Sequence, residues 1–119
     1  MRFVSRSLLV LAALGGLAAP APAQEIVPFA DPSRIVAIGG SLLEIVYALG
    51  EEKRLVARDS TGVFPPEAAA LPDVGYMRAL SPEGVLAVNP SALLVIEGSG
   101  PPEALDVLSK GSVPYVSVP

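Results

Sequence analysis

The chain has 119 residues, 8 basic and 12 acidic, for a formal net charge of −4, with neither histidine nor cysteine. The acidic balance disfavours nucleic acid as a partner, because phosphate binding needs a basic face. Without histidine the commonest metal ligand and the usual general base are both gone, so any metal must be held by oxygen.

Arg2 and Arg6 lead into the apolar run Leu8–Ala19 and then into Ala21-Pro22-Ala23, the three-part layout of a secretory signal peptide. The run is shorter than the roughly 20 residues a helix needs to cross a bilayer. Residues 1–23 therefore read as a cleavable export signal, with Gln24 as the new N-terminus. Arg2 and Arg6 lie within that signal, so the exported part is more acidic than the whole chain. The missing cysteine leaves no thiol for a lipid anchor, which points to a free protein of a Gram-negative periplasm.

Residues 24–33, with Pro28 and Pro32, read as an extended leader. Ile35-Val36-Ala37-Ile38 is a short apolar run ending at Gly39-Gly40, as expected of a strand buried on both faces of a parallel sheet. Ser41 followed by Glu44 predicts a capping box, and Leu42, Ile45, Val46 and Leu49 keep helical spacing up to Gly50. Leu55-Val56-Ala57 predicts a second strand. The proline-rich stretch 61–72 predicts a loop with at most one helical turn near 66–70, and Val74-Gly75-Tyr76 a short third strand.

Ser81-Pro82-Glu83 has the order of an N-cap, a proline at the first helical position and a first-turn acid, predicting a short helix to Val88 that Asn89-Pro90 stops. Residues 92–96 predict a strand, Pro101 or Pro102 opens a helix to Lys110 with Gly111 as its stop, and 113–118 predicts a last strand. This alternation predicts one α/β domain, a parallel sheet with helices on both faces and right-handed crossovers.

In open parallel sheets ligands bind beyond the carboxyl ends of the strands. That rule selects Gly39-Gly40-Ser41, Arg58-Asp59-Ser60, Tyr76-Met77-Arg78 and Glu97-Gly98-Ser99-Gly100. Gly39-Gly40-Ser41 lacks the third glycine of a dinucleotide fingerprint and the lysine of a phosphate loop. It is either a tight turn with Ser41 as cap or a backbone contact for a ligand carboxylate. Tyr76 is a hard oxygen donor suited to ferric iron, and tyrosine is a known axial haem ligand. In an extended segment Arg78 shares its side and favours the ionised phenolate; half-buried packing is the other reading of Tyr76. Arg58 could pair with a ligand carboxylate or form a local surface ion pair with Asp59. Tyr47 and Tyr115 read as packing. No nucleophile and base can be assembled, so an enzyme is disfavoured.

The segments Arg34–Ser41 and Glu44–Gly50, and above all Leu71–Gly84 with Gly75-Tyr76-Met77-Arg78, resemble the haemin-specific substrate-binding proteins of bacterial ABC importers. The first two segments are shared with binding proteins for cobalamin and iron-siderophores, and the Gly75–Arg78 segment is the haem-specific part. The resemblance implies a Rossmann-like N-terminal lobe of a bilobal binding protein, with Tyr76 as axial ligand to ferric haem and Arg78 as its electrostatic partner. It implies haemin as cargo, an inner-membrane ABC permease as partner with Glu83 as docking acid, and an outer-membrane haem receptor upstream. Family members have two lobes joined by a long helix, whereas Pro119 follows the last strand of the first. The expectation is therefore one lobe over 34–119 without its C-terminal counterpart. Alternatives are a cobalamin or siderophore protein of the same superfamily, or a remnant that binds nothing.

Overall fold

A computed structural model describes residue 16, residues 18–20 and residues 27–119. Nearly all of the export signal expected over 1–23 lies outside the described residues. Among those described, no helix is long and apolar enough to cross a membrane.

Four strands, β1 (Ile35–Ile38), β2 (Leu55–Arg58), β3 (Ala92–Ile96) and β4 (Tyr115–Val118), form one sheet in the order β2-β1-β3-β4. Every pairing is parallel. The helices are α1 (Gly40–Ala48), α2 (Pro82–Leu86) and α3 (Pro102–Lys110), with 3-10 turns at Glu52–Arg54 and Pro66–Ala70. Side chains alternate across a strand, and the core divides accordingly. Val36, Ile38, Leu93 and Val95 pack with Val85 of α2 and Ala104 and Leu108 of α3. On the opposite face Ile35, Ala37 and Leu55 pack with Leu43 and Val46 of α1 and with Ala68. Helices thus cover both faces, which is why β1 is apolar at all four positions. Tyr47 packs against the second of these clusters, as expected.

Helix and strand ends follow the local chemistry, with some departures. Gly50, at φ 73°, ends α1: its N–H bonds to Tyr47 O and that of Glu51 to Val46 O, the paired bonds of a Schellman motif. At α2 the expected start holds, with Ser81 as N-cap accepting from Gly84 N–H and Pro82 in the first turn. The Arg34 guanidinium donates to the carbonyls of Val88 and Asn89 just beyond that helix. The capping box expected at Ser41 and Glu44 is absent. Gly39 is the N-cap and α1 begins at Gly40 without a side-chain cap, because the Gly39 carbonyl already takes the Leu42 and Leu43 amides.

The second departure is the third strand expected at Val74–Tyr76. Two backbone bonds, Arg58 N to Pro72 O and Val74 N to Arg58 O, make an isolated parallel bridge between Arg58 and Asp73. Gly75 then takes φ 104° and the chain turns away, so no ladder develops. The last strand also begins at Tyr115 and not at Val113, whose N–H is held by Leu108 O at the end of α3.

Candidate functional site

β1, β2 and β3 end at Ile38, Arg58 and Ile96, and the loops leaving them are tied together through backbone and carboxylate bonds. Gly39 leaves β1 at φ 111°, where a Cβ would lie 2.6 Å from Ile96 Cγ2. A Cβ on Gly40 would lie 2.6 Å from Thr61 O. These glycines are therefore required by the close approach of the turn to its neighbours. Their amides also have internal partners: Gly39 N–H donates to Asp59 Oδ1 at 2.9 Å and Gly40 N–H to Thr61 Oγ1 at 2.9 Å. Of the three residues singled out here, Ser41 presents an exposed side chain, in the first turn of α1.

Asp59 is the residue whose place differs most from expectation. It is not the surface partner of Arg58; it is fully buried. Its Oδ1 accepts from Gly39 N–H and from the Thr61 hydroxyl at 2.7 Å, and its Oδ2 accepts from Met77 N–H at 3.0 Å. Burying a carboxylate is costly unless it is hydrogen-bonded, and three donors meet that need. Strand alternation sends the neighbouring Arg58 elsewhere. Its Nε donates to Ala68 O at 2.9 Å, its Nη1 to Asp59 O at 3.3 Å, and its ion pair is with Asp73 at 3.6 Å. Arg58 thus braces the 66–73 loop.

The Tyr76 loop rests on this frame. Ser60 N–H donates to Gly75 O, Gly100 N–H to Met77 O, and Leu80 N–H to Gly100 O, each at 2.8–2.9 Å. Asp73 Oδ1 accepts from Gly75 N–H and from the Ser60 hydroxyl, both at 2.8 Å. The Gly75 amide holds the Asp73 carboxyl below its ordinary value of 3.8, with the Ser60 hydroxyl and the Arg58 charge adding to the effect. Tyr76 itself stays 46% exposed. Ala79 N–H bonds to Tyr76 O at 2.9 Å, so residues 76–79 form a turn and not the extended segment expected for Tyr76 and Arg78. Arg78 is exposed and enters none of the ion pairs among the described residues. Val63 and Phe64, on the loop that leaves β2, are exposed apolar residues that the sequence reading did not single out.

Glu83 lies apart, exposed in the first turn of α2. Its own backbone N–H and the Ser81 hydroxyl, which donates to Oε2 at 2.9 Å, hold its carboxyl below the ordinary value. Among the described residues no group of three acidic, histidine or cysteine side chains is placed to hold a metal ion.

Fold and loop arrangement together define an α/β lobe whose strand-end loops gather at the carboxyl edge of a parallel sheet, where such sheets bind ligands. The sequence profile of the periplasmic binding protein family matches residues 35–119, and the chain belongs to that family. A crystal structure of a periplasmic heme binding protein from Pseudomonas aeruginosa is 44% identical, with a TM-score of 0.71 over 72% of this chain and 31% of that one. The periplasmic heme binding protein HutB of Vibrio cholerae is 36% identical, with a TM-score of 0.68 over 74% of this chain and 34% of that one. A vitamin B12-binding protein of Pectobacterium atrosepticum is 30% identical over 88 residues, 74% of this chain and 32% of the relative. The chain spans about a third of the length of these relatives and corresponds to their N-terminal part.

Proposed function

We propose that this lobe captures ferric haem in the periplasm through Tyr76 and contributes to its delivery to an inner-membrane ABC permease. The carrying observation is the exposed Tyr76 held on a loop whose flanking amides are bonded to carboxylates, at the carboxyl edge of the sheet. One phenol supplies one oxygen ligand, which suits an iron that already carries four porphyrin nitrogens. Exposed Val63 and Phe64 offer apolar surface for a flat macrocycle, and exposed Arg78, two residues from Tyr76 in the chain, brings positive charge to the same loop. Ser41 adds an exposed hydroxyl at the start of α1. Arg58, Gly39 and Gly40 are assigned to shaping the site, since their polar groups are bonded internally. Glu83, exposed in the first turn of α2, is the permease-docking acid in this reading. Export by the 1–23 signal and an outer-membrane haem receptor upstream belong to the same proposal.

Cobalamin is the second reading, favoured by the vitamin B12-binding relatives. Titration with haemin and with cyanocobalamin separates the two. Haem capture predicts a saturable Soret shift with the charge-transfer bands of a phenolate-ligated ferric centre, abolished in Tyr76→Phe. Saturable cobalamin binding without a haemin response supports the second reading, and no response to either leaves a lobe that binds neither.

A further inference from the structure

The backbone on both sides of Tyr76 is held by a different carboxylate. The preceding amide, Gly75 N–H, donates to Asp73 Oδ1 at 2.8 Å. The following amide, Met77 N–H, donates to Asp59 Oδ2 at 3.0 Å. The two acids are themselves anchored to different parts of the sheet edge. Asp59 is fully buried and joined to the end of β1 through Gly39 and to the β2 loop through Thr61. Asp73 is joined to the same loop through Ser60 and to β2 through Arg58. Tyr76 remains exposed between them.

We infer that Asp59 and Asp73 are positioning residues that hold the main chain of Tyr76 in a fixed, ligand-ready place before any cargo arrives. The inference rests on the reading of Tyr76 as the iron ligand. Neither acid touches the cargo; each acts through the peptide next to the ligating residue. The physical reason is that groups orienting a metal ligand affect affinity even when they never meet the metal. A loop tethered on one side alone would let the phenol swing and would charge the cost of ordering it to the binding event. Buried Asp59 is the stronger tether, since its carboxylate accepts three bonds away from water. An asparagine there offers one acceptor oxygen and turns an NH2 group toward a donor, so it cannot satisfy all three.

The test uses the full chain with Asp59→Asn, Asp73→Ala and Tyr76→Phe, read by residue-resolved amide exchange and by haemin titration. Asp59→Asn should speed exchange at Met77 while leaving the sheet amides of Val36 and Leu93 protected. Its haemin affinity should fall by about tenfold, the low end expected for a residue orienting a ligand, with an altered phenolate charge-transfer band. Asp73→Ala should do the same through Gly75; Asp73 lies at the surface, so this variant decides the matter if Asp59→Asn does not fold. A purely structural role would lower the melting temperature yet leave the affinity and spectrum of the folded protein unchanged, and that outcome overturns the inference. Unchanged exchange at Met77 and Gly75 overturns it as well. If Tyr76→Phe keeps the parental spectrum, the ligand assignment itself has failed, and the tethering is then judged by the two amides alone.

Discussion

In the proposed reading Tyr76 supplies the oxygen ligand to the iron, and its substitution separates ligation from packing most sharply. Tyr76→Phe keeps the ring and removes the oxygen, so haemin affinity should fall by at least about tenfold, equivalent to about 1.4 kcal/mol, and the charge-transfer band should vanish. A packing role predicts almost no change, because the residue is half exposed. Arg78→Ala should give a milder loss of haemin affinity, since it removes an exposed charge two residues from Tyr76 and leaves the oxygen ligand in place. A haemin affinity identical to that of the parent would remove Arg78 from the site. Asp73 sets a pH limit. Its carboxyl lies below 3.8 in the fold, so its stabilising bonds are fully present above that value and are lost as pH falls through the lower folded one. Titrating stability should therefore show an acid limb that flattens in Asp73→Ala, with no change between pH 5 and 8.

Among the elements, α3 and α2 each carry a consequence that can be checked separately from the ligand. Helix α3 closes with a Schellman pair, Ser112 N to Ser109 O and Val113 N to Leu108 O, but the left-handed position at φ 68° is occupied by Ser112 and not by the adjacent Gly111. An L residue there costs about 1–2 kcal/mol, partly offset by the greater unfolded-state freedom of glycine. Ser112→Gly should raise stability by about 0.5–1 kcal/mol, seen as a higher urea midpoint at constant slope. A lower midpoint would show that Ser112 has compensating contacts. In α2, Glu83→Ala should leave haemin affinity intact and weaken association with the permease in a pull-down of the reconstituted importer. Equal loss of both would make Glu83 structural, through its bonds to Ser81 and its own amide.

At the scale of the whole molecule, the two apolar clusters are separated only by the sheet, and Leu93 is fully buried in the larger of them. Leu93→Ala should cost about 2–5 kcal/mol, a large fraction of the roughly 5–15 kcal/mol that holds a typical domain folded. Ligand binding to the folded state alone should act in the opposite direction: haemin at a hundred times its Kd should add about 2.7 kcal/mol. A melting temperature that does not respond to haemin would contradict capture by this lobe.

Much of this architecture was legible in the chain itself. The apolar runs 35–38 and 92–96, the Gly50 stop and the Ser81-Pro82 start are governed by local chemistry: side-chain burial, positive φ and a missing amide hydrogen. The same holds for the choice of loops, since connectivity in a parallel sheet brings strand ends to one edge. What the sequence could not reveal was long-range. Asp59 next to Arg58 looks like a surface ion pair until β1 and the Met77 amide arrive from 18 to 20 residues away to bury it. The capping box at Ser41 is locally sound, yet it loses to a glycine turn packed against Ile96. Tyr76 and Arg78 looked extended because their residues permit it, and became a turn because Gly75 reverses the chain after a single bridge. The sequence by itself determined the four strands of the sheet and the three helices, because each depends on neighbours within a few residues, while the candidate ligand Tyr76 was marked by its resemblance to a known segment. Only the tertiary structure decided which polar groups are free to meet that ligand, because hydrogen-bond partners brought together across the sheet edge use up the rest.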